Sequence, residues 1–467
     1  MKAVQHADAQ SNPQRGDDRA QTISWPALGL VAAVTAGVLC WHVWVLPIGD
    51  SHYGLFANYA DLTIYRAGGH AVAHGVALYD GPVIWNMQFT YTPFAGLLFV
   101  PWAWMTPDLA HTAWWGATFV SLIAVVVLSF RSLGYPFTRR LFALGVGVAV
   151  VVSAFEPVRT TIWLGQINIF LLLLIVADLA RPAGGRWRGV GAGIAAGIKL
   201  TPALFLVYLA ITRQWRACGL GIGALGATIA VGFAVIPADS WRYWTASFSN
   251  ADRVGGVDGP GNQSLNGFAA QMLKFYDVTR YQDPQTHVFE PPTWMWLLLA
   301  VPALVLGLAA GAAAHRRGQE LLALTLTGMT ATAVSPFSWG HHWVWFVPLF
   351  VLALHHAMAG ITRRRWLLPA VVFFAGFCWW WNYWDIGPWR SADHLIGIGL
   401  FMLPRDGGHW WQHITVPIYA GFYLLVFTVT AMAALWPSTD KQSPTPDSVL
   451  GPHRHRPSAR PPATYNW

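Results

Sequence analysis

Ala60-Asp61-Leu62-Thr63-Ile64-Tyr65-Arg66-Ala67-Gly68 is a polar island in a chain that is otherwise apolar on both sides of it. Before it, residues 25–46 form a run long enough to cross a bilayer. After it, Phe89-Thr90-Tyr91-Thr92-Pro93-Phe94 leads back into apolar sequence. Reading both flanks as membrane-inserted decides the fold class: an all-α polytopic membrane protein whose loops carry the chemistry. A carboxylate on such a loop sits at the edge of low dielectric, with the Arg66 cation nearby. Partial desolvation raises its basicity, so Asp61 is suited to accept a proton from a hydroxyl. The other role open to it is that of an ordinary helix N-cap.

Composition points the same way. Hydrophobic residues make up 55% of the chain and charged ones 11%, against about 25% charged in soluble domains. Many of the 28 tryptophans fall at segment ends, where amphipathic rings sit at headgroup level. The net charge of +8 is spread over short Arg clusters between apolar runs, the pattern of cytoplasmic loops and not of a nucleic-acid groove. Cys40, Cys218 and Cys378 all lie inside apolar segments without paired spacing, so neither a disulfide nor a thiolate metal site is expected. The polar residues 1–24, with Asp8, Asp17 and Asp18, are unlike a cleavable signal and are expected to form a disordered cytoplasmic N-terminus. Residues 25–436 then form the transmembrane domain. Residues 437–467, rich in Pro, Ser, His and Arg, read as a disordered cytoplasmic tail in which His453-Arg454-His455 is solvated.

Further apolar stretches at about 90–106, 110–130, 141–155, 165–180, 189–212, 217–236, 292–313, 319–334, 342–358, 366–384 and 415–436 bring the expected total to about 12 crossings. The clusters Arg213 and Arg216, His315-Arg316-Arg317 and Arg363-Arg364-Arg365 should face the cytoplasm. The loops 47–89, 237–291, 335–341 and 385–414 then face outward. The first half resists this scheme. If 90–106 and 110–130 both span, Arg131, Arg139, Arg140, Arg181, Arg186 and Arg188 land outside. A re-entrant segment would resolve the conflict, and 189–212, broken at Lys199-Leu200-Thr201-Pro202, is the natural candidate.

A charge at membrane depth costs roughly 3 kcal/mol or more, so it usually faces a cavity. Lys199, among small and apolar neighbours, either holds a phosphate or snorkels to a headgroup. Gln166 and Asn168, at the head of an apolar helix, either add amides to an anion-favouring helix N-terminus or simply cap it. Glu156 and Arg159 just upstream are placed to pair. In Ser335-Pro336-Phe337-Ser338-Trp339-Gly340-His341-His342-Trp343, adjacent histidines point in different directions and no further ligand completes a zinc set. One histidine serving a phosphate oxygen is the more economical reading, beside a purely structural one. Asn262-Gln263-Ser264 matches the glycosylation acceptor pattern, and its amides also suit sugar hydroxyls. The aromatic run at 379–384 reads first as an interfacial belt. No Walker motif, dinucleotide fingerprint or attached nucleotide-sugar domain is recognisable, and a donor that is itself a lipid-linked phosphate would explain that.

The ordered set Asp61-Leu62-Thr63-Ile64-Tyr65-Arg66-Ala67-Gly68, Tyr91-Thr92-Pro93-Phe94, Gly165-Gln166-Ile167-Asn168, Gly197-Ile198-Lys199-Leu200-Thr201-Pro202, Asn262-Gln263-Ser264 and Ser335 to His342 resembles the actinobacterial polyprenyl-phosphate-mannose-dependent mannosyltransferases of glycosyltransferase family 87, in the GT-C superfamily. The resemblance implies a GT-C-type fold in the plasma membrane with its site on the outer side. It implies Asp61 as catalytic base, with His341 or His342 also needed, and no metal or cofactor. The donor would be polyprenyl-phosphate-mannose and the acceptor a mannose-bearing glycolipid or glycan, with Lys199, Arg66, Gln166 and Asn168 toward the donor phosphate and Tyr91, Asn262 and Gln263 toward substrate. Gly340 departs from that pattern, in which an acidic residue precedes the histidines. Two rival readings remain: a lipid or lipid-linked-sugar flippase, and a non-catalytic envelope subunit. The first predicts internal pseudo-symmetry, which the sequence lacks; the second predicts that Asp61, Lys199 and His341 tolerate substitution.

Overall fold

The computed structural model describes residues 21–436 except 45–46, 52–53, 182–183, 249–254, 361, 378–379, 382–394, 397–407 and 409. The expected terminal tails, with His453 to His455, lie almost wholly outside the described residues. So do Cys378 and most of the aromatic run at 379–384. The chain opens with α1 (Trp25–Trp44) and α2 (Ala60–Ala73), then a short antiparallel ribbon of Pro82–Ile84 with Met87–Gln88, then α3 (Pro93–Ala103). There follow α4 (Pro107–Ser132), α5 (Arg139–Val152), α6 (Glu156–Leu164), α7 (Asn168–Leu179), α8 (Val190–Ile198) and α9 (Leu204–Ile211). The second half contributes α10 (Trp215–Val235), α11 (Pro237–Arg242), α12 (Leu265–Phe275), α13 (Thr293–Arg316), α14 (Glu320–Val334), α15 (Phe346–Met358), α16 (Leu367–Gly376), α17 (Gln412–Ala420) and α18 (Phe422–Leu435). Helices dominate because, in lipid, only intra-segment hydrogen bonds satisfy the backbone.

Among the described residues four helices, α1, α4, α10 and α13, are individually long and apolar enough to cross a membrane. Counting each of the bent pairs α6–α7 (119°) and α17–α18 (65°) as one span makes up to six by length and composition. At least four crossings are thus shown, short of the expected tally of about 12. Two of the stretches counted there do not traverse the bundle, and one of them, 189–212, is the segment expected to be re-entrant.

The first is α3. It packs antiparallel on α2, with Gly96 beside Val72 and Arg66 reaching the Trp102 and Met105 carbonyls. Its start is tied to the hairpin tip described next by the Thr92 hydroxyl on the Gly197 carbonyl, and Trp102 near its end packs against Trp114 early in α4. Both ends of α3 therefore stay on one side.

The second is 189–212. Gly189, Gly193 and Gly197 of α8 lie successively against Ala217, Gly221 and Thr228, so α8 runs parallel to α10. At Lys199 the backbone becomes extended, and a tight turn at Thr201–Ala203 starts α9 back the other way. The feet of this hairpin meet: Arg188 Nε donates to Gln214 Oε1 (3.0 Å), and Arg216 donates to the Arg186 carbonyl (2.9 Å). Nine residues of α8 rise roughly 14 Å, about half the hydrocarbon thickness.

With those two segments turned back, every basic cluster falls at one end. Arg140 reaches the Ile23 carbonyl, Tyr135 meets His355, and Arg317 reaches the Ala434 carbonyl. Arg188, 2% exposed, closes that end by donating to Glu320 (2.7 Å) and to the Arg181 and Leu179 carbonyls. Glu320 also receives Tyr208 (2.9 Å) and His315 (2.6 Å), so α9, α13 and α14 share one clasp. The opposite end holds Asp61, Gln166, Lys199 and the His341-His342 turn.

Candidate active site

Gly165 builds the centre. It ends α6 in the left-handed conformation (φ +68°), and a Cβ there would come within 2.8 Å of the Leu62 Cβ. Only glycine lets α2 press this closely on the α6–α7 bend. Leu62 is fully buried by the contact, and its neighbour Asp61 is brought to Gln166. Asp61 is not the N-cap of α2. Asn58 accepts from the Ala60 N–H instead, and Asp61 sits in the helix's first turn, where the dipole favours its charge. Burial raises its carboxyl to about 6, against the opposing pull of a Gln166 hydrogen bond and the Lys199 charge.

Gln166 is held from behind by two tyrosines. Tyr65 and Tyr91 are 2.7 Å apart at their hydroxyls, and each donates to Gln166 Oε1, at 2.8 and 3.0 Å. Both are buried, and desolvation holds both phenols above their ordinary range, so they are donors. Tyr91 also lies beneath Lys199, whose ammonium is 5.4 Å from the ring centre.

Asn168 opens α7 and links two further parts. Its Oδ1 accepts from Lys199 Nζ (3.1 Å), and its Nδ2 donates to the His341 carbonyl (2.9 Å). Lys199 does not snorkel: its ammonium also lies 2.9 Å from His342 Nε2. His342 Nδ1 is 3.1 Å from the Ser338 hydroxyl. Burial and the Lys199 charge hold both histidines well below their usual range, so His342 is neutral and accepts at Nε2.

The two histidines divide their roles. His342 touches the lysine, whereas the buried His341 ring stacks toward Trp339 and its carbonyl takes the hydrogen bonds of Asn168 and Thr161. Beneath the turn lies a carboxylate. Both oxygens of Glu156 would stand 2.7 Å from a Cβ at Gly340. Thr160 (2.9 Å) and Tyr423 (2.6 Å) donate to them, and the Arg159 charge acts on the same group. The position that is glycine in this sequence is thus filled by an acid from another helix.

Three expected site residues are placed elsewhere. The Arg66 guanidinium is turned to the Trp102 (3.0 Å) and Met105 (2.7 Å) carbonyls, away from Lys199. Asn262 is fully buried, donates to the Val257 carbonyl and accepts from Ser264 and the Ser338 N–H. It braces the loops at the site end and is not a surface glycan acceptor. Gln263 is 1% exposed, bonded to Pro260 and, through its backbone, to Ser338. Tyr65 is the residue that sequence reading passed over. Its signal was present: it follows Asp61 by four positions and so shares a helix face with it.

Behind Lys199 and His342 a small hollow of about 40 Å³ lies between α7, α9, α14 and the start of the Phe346 helix, with Leu172, Ile175, Phe205 and Trp345 in its wall. Lys199, Asn168 and His342 are the polar groups at its edge. Among the described residues no group of three or more metal-ligating side chains occurs.

A predominantly helical bundle with several membrane-length helices, closing one end over a carboxylate, paired amides and a lysine, defines an integral membrane protein with a polar site at that end. Residues 89–336 match the family described as glycosyltransferase family 87. The chain is 28% identical over 93% of its length, and 96% of the other protein's, to the polyprenol-phosphate-mannose-dependent alpha-(1-2)-phosphatidylinositol mannoside mannosyltransferase of Mycobacterium tuberculosis. It is 32% identical to the protein of the same description from Mycolicibacterium smegmatis, over 75% of this chain and 79% of that one. A phosphatidylinositol pentamannoside mannosyltransferase of Mycolicibacterium smegmatis matches at 32% identity over 72% of this chain and 81% of that one. No solved structure matches it. The chain belongs to glycosyltransferase family 87 and is a glycosyltransferase.

Proposed function

We propose that this protein transfers a mannosyl residue from polyprenyl-phosphate-mannose to a mannose-bearing glycolipid or glycan, on the outer face of the plasma membrane and with inversion. The observation that carries the reading is the joining of Asp61, Gln166, Asn168, Lys199 and His342 in one cluster, of which Asn168, Lys199 and His342 also line a mostly apolar hollow. Asp61 takes the proton of the acceptor hydroxyl as that oxygen attacks the anomeric carbon, and the lipid phosphate leaves from the opposite face. A phosphate leaves without protonation by a strong acid, so one carboxylate suffices where glycosidases use a pair. Lys199, steadied by Asn168 and His342, is placed to neutralise the charge growing on that phosphate.

The outward orientation follows from charge. All the Arg clusters gather at the end away from the site, and such clusters mark the cytoplasmic face. The names of the relatives favour a phosphatidylinositol mannoside as acceptor. The test is incubation of the purified protein with labelled polyprenyl-phosphate-mannose and a phosphatidylinositol mannoside. A labelled, larger glycolipid supports the reading; intact donor, with label only moved between leaflets, overturns it.

A further inference from the structure

We infer that Tyr65 and Tyr91 are positioning residues that lock the Gln166 amide so that its NH2 faces Asp61. The claim rests on the role proposed for Asp61 and adds what keeps that base oriented. An amide can turn over, and its two ends have opposite consequences: NH2 toward a carboxylate stabilises the ionised form, whereas the carbonyl oxygen repels it.

The surroundings choose one end. The Ile167 backbone N–H, which can only donate, lies 3.3 Å from Gln166 Oε1. Tyr65 can place its proton on Oε1 at 2.8 Å or on the Tyr91 oxygen at 2.7 Å. Tyr91 completes the ring at 3.0 Å from Oε1. Donors therefore surround the oxygen, and the NH2 is left for Asp61, which the Gln166 side chain does hydrogen-bond. The tyrosines are themselves rigid. Tyr65 is fully buried and stacked on Phe99 (ring centres 4.3 Å apart, planes within 3°), and Tyr91 stands edge-on to Tyr65. The other titratable groups facing Asp61 are Tyr65 on its own helix, Tyr91 ahead of α3 and Lys199 at the hairpin tip, with His342 behind the lysine.

The test uses Tyr65→Phe, Tyr91→Phe and the double variant, each removing only hydroxyls. The double variant should move the acidic limb of the kcat/KM profile upward by about one pH unit, with donor KM little changed and turnover recovering toward wild type at pH 8. Each single variant should shift it less, because one hydroxyl still holds Oε1. A second measurement is independent of transfer: the carboxyl stretch of Asp61, isolated as the infrared difference from Asp61→Asn, followed through a pH titration. The titration should shift with the kinetic limb. Rates lowered equally at every pH, or an Asp61 titration unmoved in the double variant, would overturn the inference. A wild-type protein that transfers no mannose would instead sink the proposed function, while the infrared titration still decides this point.

Discussion

The Lys199 ammonium lies 2.9 Å from His342 Nε2 and, on its other side, 3.1 Å from Asn168 Oδ1. Neither hydrogen-bonded partner of this lysine carries a charge, so neither neutralises the ammonium that an incoming anion would meet.

The two histidines should therefore be unequal. Replacing His342 by Ala removes one acceptor from Lys199 and should weaken donor binding about tenfold or more. Replacing His341 by Ala leaves its carbonyl in place for Asn168 and should cost less in donor KM. Steady-state kinetics against donor concentration separates the two; a larger KM effect from His341 would contradict this division.

Asp61→Asn should lower transfer by about 100- to 10,000-fold, the usual worth of a general base, while the protein stays folded and still binds donor. In the wild type the base works only when ionised. Burial raises its carboxyl to about 6, so kcat/KM should climb through about pH 6 and level off above it. A profile flat down to pH 4.5, or near-normal turnover in the variant, would remove Asp61 from the chemistry.

Lys199→Met preserves length and removes charge. Charge-assisted hydrogen bonds contribute about 1.5–3 kcal/mol each, so donor affinity should fall roughly 10- to 150-fold, measurable by direct binding of polyprenyl phosphate. Unchanged affinity would show that the phosphate sits elsewhere.

Gly340→Ala sets a methyl group against the Glu156 carboxylate, 2.7 Å from both of its oxygens. The turn carrying His341 and His342 must shift, and activity should drop at least tenfold while the protein still extracts as a monodisperse species. Full activity would mean that Glu156 yields freely despite Tyr423 and Thr160.

Arg188→Leu tests the clasp at the far end. It takes the cation from the half-buried Glu320 carboxylate, which keeps Tyr208 and His315, and the donor from the Leu179 and Arg181 carbonyls, a loss of about 3 kcal/mol. The apparent melting temperature in detergent should fall by several degrees, more than for the exposed Arg186→Leu. Equal melting temperatures would show that the clasp contributes little.

Much of the site could be read from the chain because each piece broke a local rule. Lys199 is a charge among small apolar residues; Gln166 and Asn168 are amides at a helix head; His341 and His342 sit between two apolar runs. What the sequence could not give was side-chain direction. Arg66 is one turn from Asp61, yet it points along α3 to the Trp102 and Met105 carbonyls. Asn262 looks like a loop-surface residue but is fully buried by a bridge to Trp339. Tyr65 drew no reading of its own, although a tyrosine can be buried and still present a hydrogen-bonding tip. Length alone decided little. The stretch 189–212 has enough apolar residues to cross, yet its break at Lys199 to Pro202 and the placing of the Arg residues already marked it as re-entrant, and the meeting of Arg188 with Gln214 shows its return.

A segment that goes in and comes back by the same door leaves the direction of every later helix unchanged. Such a loop could be inserted, lengthened or deleted as a unit in a related chain without inverting anything downstream. The cation it delivers to the reacting end is in that sense a detachable fitting, and its depth can be tuned one residue at a time from the anchored side.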